Sequence, residues 1–304
     1  MSHYHPSVTI GIPAHNEEKS LPVFLDSLIS QDISSFLLEK VVIACDGCTD
    51  RTSAVAAAYK KHIPGLKVIN DGRRLGQIGR LNQMFSACKS DIFVTFDADT
   101  ILGHKRVLSQ MVAPFRNLRV GAVSGGDTPY SPSTPVELLA AAKIRLWFHT
   151  RKNINGGDSV HNLHGCAFAL RGEMCRSLHI PPRVIANDAY VYFTIKKHGF
   201  NLRFVPEAVV YYRLPSGIMD FLAQTARWQN TSGRISEHFG PWINPYRVVP
   251  LKAKISGIVH MLWDNPVLLP AAVLFHFISR FAKKYFPLPD SVWTPLSSTK
   301  NTHV

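Results

Sequence analysis

No stretch of this chain offers the roughly 20 consecutive apolar residues that a membrane-spanning helix needs. The longest apolar segment, 266–278, is broken by Pro270 and His276. With 46% apolar residues over 304 positions, the composition suits a core and excludes a polytopic membrane protein. Cysteines are few and odd in number: Cys45, Cys48, Cys88, Cys166 and Cys175 are scattered too widely for a disulfide framework. Cys45-Asp46-Gly47-Cys48 has thiol-redox spacing, yet no second cysteine pair completes a zinc site. No secretory signal is visible in Met1-Ser2-His3-Tyr4-His5, so a reducing cytoplasmic setting is expected. Internal repeats and low-complexity tracts are absent, as are helix-turn-helix, zinc-finger and RNA-recognition motifs, so nucleic acid is not an expected partner. Acid is scarce after the first third. Residues 1–100 hold 10 Lys/Arg against 11 Asp/Glu, residues 101–200 hold 13 against 5, and residues 201–304 hold 11 against 5. The resulting net charge of +13 belongs to the later two-thirds, a surface suited to anionic lipid head groups or phosphorylated substrates.

What the chain does contain is a regular alternation. Val8–Ile12, Val41–Ala44, Leu66–Ile69, Ile92–Phe96 and Val120–Ser124 read as strands. Between them lie helical spacings: Leu21, Phe24, Leu25, Leu28 and Ile29; an Ala-rich helix to about Lys61, capped by Thr49 or Asp50; and a helix from about Gly79 to Cys88. This order predicts an α/β fold with a mostly parallel central sheet flanked by helices, and a Rossmann-like nucleotide-binding half. Farther on, helices are expected over Pro135–Lys152 and Asp188–His198, a strand over Gly165–Leu170, and another over Leu202–Tyr212 interrupted at Pro206. Ile218, Phe221, Leu222 and Thr225 mark an amphipathic helix that carries Arg227-Trp228.

Chemistry gathers where strands end. Ile12-Pro13-Ala14-His15-Asn16-Glu17-Glu18 follows the first strand, Asp46-Gly47-Cys48-Thr49-Asp50 the second, and Asp97-Ala98-Asp99 the fourth. In an open α/β sheet the carboxyl ends of the strands form the binding edge. Asp97 and Asp99 repel one another unless a cation lies between them, and hard cations such as Mg2+ or Mn2+ take oxygen ligands and bridge to phosphates. Asp46 and Glu17 can accept hydrogen bonds from a nucleoside, and Gly76-Gln77-Ile78-Gly79-Arg80 offers close backbone approach and one cation near phosphates. Read alone, an Asp-x-Asp also fits a solvated turn, Asp188 fits a helix N-cap, and Arg227-Trp228 fits a helix with its tryptophan in the core.

Taken in order, these segments resemble family 2 glycosyltransferases, inverting nucleotide-sugar enzymes of the glycosyltransferase-A fold. The first three are similar to the family's opening signature, second motif and metal motif, with His15 where Tyr is commoner and Cys48 in place of Ser. His164-Gly165-Cys166-Ala167-Phe168-Ala169-Leu170-Arg171 resembles the acceptor-side segment, Asn187-Asp188 stands where Glu-Asp is usual, and Gln224-Thr225-Ala226-Arg227-Trp228 matches Q-x-x-R-W. The resemblance spans about residues 7–230. It implies a donor site of Pro13, Ala14, His15, Glu17, Asp46, Gly76, Arg80, Asp97, Ala98, Asp99, Arg227 and Trp228. Asp97 and Asp99 would hold Mg2+ or Mn2+, and Asp188 would be the general base. His164, Gly165, Arg171, Asn187 and Gln224 would face the acceptor.

The expected protein is therefore a metal-dependent inverting glycosyltransferase. It would use a nucleotide-sugar donor, UDP-linked, and a lipid or lipid-linked glycan acceptor at the cytoplasmic face of a membrane. A processive synthase subunit with a membrane partner, or a non-catalytic nucleotide-sugar binder, stands as the alternative. The expected division is a catalytic domain over 1–240, split into a donor half (7–130) and an acceptor half (131–240), with a helical, membrane-associating region over 241–304. In that region Leu251, Ile255, Ile258, Val259 and Leu262 form a helical apolar stripe with Lys252 and Lys254 off it, and 266–282 reads as an interfacial or re-entrant element.

Overall fold

The computed structural model describes residues 5–182, 184, 186–281 and 285, with backbone alone described at 227–233 and 280. The strands are β1 (Ser7–Ala14), β2 (Leu37–Cys45), β3 (Leu66–Asn70), β4 (Ile92–Phe96), β5 (Ile101–Leu102), β6 (Val120–Pro129), β7 (Ala167–Arg171) and β8 (Asn201–Tyr212). The helices are α1 (Leu21–Ile29), α2 (Thr52–Ala58), α3 (Gly76–Ser86), α4 (Val107–Val112), α5 (Pro135–Arg151), α6 (Gly172–Ser177), α7 (Asn187–Lys197), α8 (Ile218–Phe239), α9 (Asn244–Arg247), α10 (Leu251–Asp264) and α11 (Leu268–Phe281).

One sheet runs β3-β2-β1-β4-β7-β6-β8-β5. Its first four strands are parallel, and β7 then pairs antiparallel with both β4 and β6. All five residues of β4 are buried, as are most of β1, the pattern of strands covered on both faces. Helix α1 turns Leu21, Phe24, Leu25 and Leu28 onto this sheet. At Gly11 a β-carbon would come within 2.3 Å of the Phe93 ring, so the glycine allows that ring to lie across β1. Strand β8 runs unbroken through Pro206, against the expected interruption. Its neighbour β5 is two residues long and pairs only with Val210 and Tyr211, so the missing N–H at Pro206 breaks no bond to β5.

Two compact units emerge; one break, at 128/129, falls beside the expected cut at 130, and the others fall at 162/163 and 212/213. Among the described residues the first unit is 5–128 and 163–212, and the second is 129–162 and 213–281. The second unit contains α5, expected in the acceptor half of the catalytic domain, because α10 and α11 both pack on it. Helix α5 begins at a capping box in which Thr134 accepts from the Glu137 N–H and Glu137 accepts from the Thr134 N–H. In this unit Ala142 packs with Met261 and Ala272. Among the described residues no helix is long and apolar enough to cross a membrane.

One close approach gives a test of the fold. A β-carbon at Gly172 would sit 2.1 Å from the Ser90 carbonyl oxygen, where the Gly172 N–H donates to Asp91 O at 2.6 Å. Gly172→Ala is expected to cost about 1–3 kcal/mol, read as a lower urea midpoint at unchanged slope. An unmoved midpoint would contradict the packing of α6 on the start of β4.

Candidate active site

Strand register brings the polar segments to one edge. Cys45 pairs with Ala14, so Asp46 and His15 leave the sheet side by side, and Gly11 pairs with Thr95, two residues before Asp97. Because β7 is antiparallel, its start is what reaches this edge: Ala167 pairs with Phe96, and the Asp97 N–H donates to Cys166 O at 3.1 Å. Strand β6 reverses again, so Gly125-Gly126-Asp127 exits at the same edge, and His164 lies 3.2 Å from the Asp127 carboxylate. Gly165 approaches the start of α7 so closely that a β-carbon would lie 3.1 Å from Asn187 Oδ1. Asp188 follows, its own N–H donating to Asn187 Oδ1 and its carboxylate accepting from the Ala189 N–H at 2.7 Å.

The first unit thus gathers Glu17, Asp97, Asp99, Asp127 and Asp188 near one edge. Asp97 bears the strain. Burial, followed by the charges of Asp99, Glu17 and Asp188, pushes its carboxyl well above the usual range, against a hydrogen bond from Gln77 Nε2 at 2.7 Å. Burial likewise raises Asp188, while the Ala189 N–H and its own N–H oppose the shift. A carboxylate raised this way is a better proton acceptor near neutral pH.

The loops after β1 and β2 are tied together. Asn16, at φ 54°, accepts the Thr49 N–H at 2.8 Å; the Glu17 N–H donates to Thr52 Oγ1; and Asp50 accepts from the Glu18 and Thr52 N–H groups. His15 Nδ1 lies 2.7 Å from Asp46 O. Where β2 passes into its loop, the Cys45 and Cys48 thiols interact, which pulls Cys48 down to about 6 and pushes Cys45 up.

Three expected site residues have other employment. The Asp46 carboxylate is buried and accepts from Arg74 at 2.5 Å, from Arg80 at 3.2 Å, and from the backbone N–H groups of Leu75 and Gly76, so it organises the loop that enters α3. Arg80 is wholly buried and grips Asp46, Asp71 and Gln83, which removes it as a phosphate-facing cation. Arg171 pairs across from Ile92 at the far end of β4, and its guanidinium donates to the carbonyls of Val120, Phe115 and Asn117; it closes the opposite edge of the sheet and is no acceptor ligand. Gln224 lies in the second unit, its Oε1 buried with no hydrogen-bond partner among the described residues. The side chains of Arg227 and Trp228 lie outside the described residues. Sequence reasoning missed Asp127, Gln77 and Arg74. For Asp127 a signal existed: an apolar run, Val120–Ser124, ending in Gly-Gly-Asp. Those glycines admit β8, since β-carbons there would meet Ala208 O at 2.8 Å and Pro206 O at 2.3 Å.

Whether a divalent cation suits this site follows from the donor set. Among the described residues no group of three or more His, Cys, Asp or Glu is arranged to hold a metal alone. Crowded carboxylates that depress each other's ionisation nevertheless fit a hard cation whose shell is completed by substrate phosphates.

Comparison with known proteins decides the family. The profile of Glycosyl transferase family 2 matches residues 9–178, more than half of the chain. The chain belongs to glycosyl transferase family 2. The family match contains the segments at Glu17, Asp46, Asp97 and His164 and ends before Asp188. An N-acetylglucosaminyltransferase of Rhizobium meliloti is 24% identical over 246 residues, 75% of this chain and 56% of that protein. A beta-monoglucosyldiacylglycerol synthase of Synechocystis is 32% identical over 121 residues, 39% of this chain and 25% of that protein. The mannosyltransferase PcManGT of Pyrobaculum calidifontis, solved with GDP-Man and Mn2+, shares the fold at a TM-score of 0.61 and 21% identity, covering 92% of this chain and 76% of that one. The chain spans about half the length of the first curated relatives it matches.

Two outcomes follow from this geometry. Arg80→Met leaves Asp46 buried without its inner cation and is expected to cost about 3–5 kcal/mol in urea unfolding. Because the folded chain holds the Asp97 proton more tightly than the unfolded chain, stability falls as pH rises from the ordinary carboxylate range through the raised value. Asp97→Asn should therefore raise the melting temperature by about 2–4 °C at pH 7.5 without added metal or nucleotide, with the gain vanishing toward pH 4. A lower melting temperature at pH 7.5 would refute the charge crowding.

Proposed function

We propose that this chain transfers a sugar from a nucleoside diphosphate sugar, UDP-linked, to a hydroxyl of a lipid or lipid-linked acceptor, with inversion at the anomeric carbon. The observation that carries the reading is the carboxylate cluster at the sheet edge, where burial, followed by the charges of Asp99, Glu17 and Asp188, holds Asp97 toward its protonated form. Such crowding lowers stability and has a use where a cation and a diphosphate arrive together.

Asp99 and Asp97 would hold Mg2+ or Mn2+. When bound, the ion supplies charge neutralisation for the departing nucleoside diphosphate. Pro13, Ala14, His15, Glu17 and Ala98 line the donor side, on loops anchored to one another through Asn16, Thr49 and Thr52. Asp46, with Arg74 and Arg80, fixes the turn into α3 at Gly76, which places Gln77 on Asp97. Asp188 takes the proton of the acceptor hydroxyl as its oxygen attacks, and the carbon–oxygen bond to the diphosphate breaks on the opposite face. Its raised affinity for protons, from burial at the start of α7, suits that role. Asn187 and Gly165 set the position of Asp188, and His164 with Asp127 borders the acceptor side. A lipid or lipid-linked acceptor agrees with the Synechocystis relative being a beta-monoglucosyldiacylglycerol synthase and with the basic later part of the chain.

A thermal-shift panel of UDP- and GDP-sugars, with and without Mn2+, tests the donor: the expected result is a metal-dependent rise with a UDP-sugar. A response to no nucleotide overturns the reading, and a response to GDP-sugars alone overturns the UDP assignment. Asp188→Asn is expected to lower kcat by about 10^2–10^4 while the donor-induced shift persists. Full turnover in this variant would remove Asp188 from the reaction.

A further inference from the structure

The second unit distributes its apolar side chains in an unusual way. In α10 the residues turned inward are Gly257 and Met261; in α11 they are Ala272, Phe275 and Ser279. Apart from Met261 and Phe275 these are small, and α10 approaches α5 so closely that a β-carbon on Gly257 would lie 2.1 Å from Thr150 Oγ1. Polar contacts join the same surfaces: Lys143 donates to Ser279 Oγ at 2.8 Å, and His149 meets Asp264 at 2.7 Å. Leu268 and Leu269 pack partly buried against the same cluster, but most of the large apolar residues point the other way. Leu251, Ile255, Ile258 and Leu262 form one exposed stripe at i, i+4, i+7 and i+11, with Leu251 71% and the adjoining Trp263 91% exposed. Leu274, Phe277, Ile278 and Phe281 form a second exposed stripe at i, i+3, i+4 and i+7 of α11.

Water disfavours this arrangement. A helix apolar on all sides belongs in a protein or lipid interior, and small residues and polar ties inward with large apolar residues outward is the rule for helices packed in lipid. Each helix has 14 residues, about 21 Å long, too short for a hydrocarbon core of roughly 30 Å. Insertion in the plane of the interface is what this length permits. Charge selects the surface. Between 240 and 281 the sequence carries Arg247, Lys252, Lys254 and Arg280 against Asp264 alone, and Asp264 is occupied by Arg145 and His149.

We propose that the outer faces of α10 and α11 are a docking surface for an anionic lipid bilayer, entered shallowly by Leu251, Ile258, Trp263, Leu274 and Phe277, with Lys252 and Lys254 at the head groups. The proposal agrees with a lipid-linked acceptor but stands on the second unit alone, whatever the chemistry of the first.

Flotation of the full chain with phosphatidylcholine vesicles, with and without phosphatidylglycerol, tests it. Binding is expected on the anionic vesicles, weakened by salt, with a blue shift of tryptophan emission that Trp263→Phe diminishes. Leu251→Glu combined with Phe277→Glu should lower vesicle partitioning by about tenfold or more while circular dichroism and the donor-induced thermal shift stay unchanged. Three results overturn the proposal: no flotation on either vesicle, equal flotation on neutral vesicles, or a dimer in solution that the two glutamates dissolve without any change in flotation. Vesicle binding by a chain with no transferase activity would leave the docking surface standing and remove the reaction; turnover of a soluble acceptor without vesicle binding would do the reverse.

Discussion

Like-charge crowding around Asp97 is the constraint on which the site depends. Five segments meet at one edge of the sheet, after β1, β2 and β4, at the end of β6 and into β7, and each brings at least one carboxylate or histidine. A parallel strand contributes its end and an antiparallel strand its beginning, so the change of direction at β7 brings the His164 segment beside Asp97. Folding must hold these groups together against their repulsion. The buried strands β1 and β4 supply the apolar gain, at about 25 cal/mol for each Å2 removed from water, and the site draws on that surplus. Under the proposed function, what a cation site gains from these carboxylates at Asp97 is therefore lost to stability.

The Asp46–Arg80–Asp71 network solves a different problem. The chain after β3 must turn into α3 without a strand to guide it, and Gly76 takes φ 75° there. A buried carboxylate that accepts from two arginines and two backbone N–H groups leaves few alternatives for that turn. Burying such charges is costly unless every group is matched, and here the arginine bonds also reach Gln83 and the Arg73 carbonyl. Its effect is to fix Gln77, and so one oxygen of Asp97.

This division of labour explains what was legible in the sequence. Apolar runs with polar ends identify the strands and the edge at which they finish, because both properties are local. Whether an arginine faces phosphate or a carboxylate within the protein is a tertiary fact. Arg80 and Arg171 are chemically alike in the sequence; one lies in the interior beside Asp46 and the other caps carbonyls at the wrong edge. Asp127 escaped notice because Gly125-Gly126 reads as a turn, whereas the glycines mark the close passage of β8. The place of α5 was illegible too, since its partners α10 and α11 lie more than 90 residues later in the chain and its own apolar residues mark no single clear face.

The C-terminal helices show the limit of apolar periodicity most plainly. A stripe such as Leu251, Ile255, Ile258 and Leu262 says that one side of a helix avoids water, but not what replaces the water. With apolar residues on several sides, hydrophobic burial alone cannot choose which side meets α5. Gly257 and Ala272 choose it by allowing close approach, and the pairs Lys143–Ser279 and His149–Asp264 choose it because a buried polar group needs its partner. Burial lowers the proton affinity of Lys143, to about 8, and of His149, and moving the helix by a turn would leave both without the Ser279 and Asp264 oxygens beside them. Small and polar residues thus specify the inward face, with Met261 and Phe275 filling it, and most of the remaining large apolar residues are left for the outside.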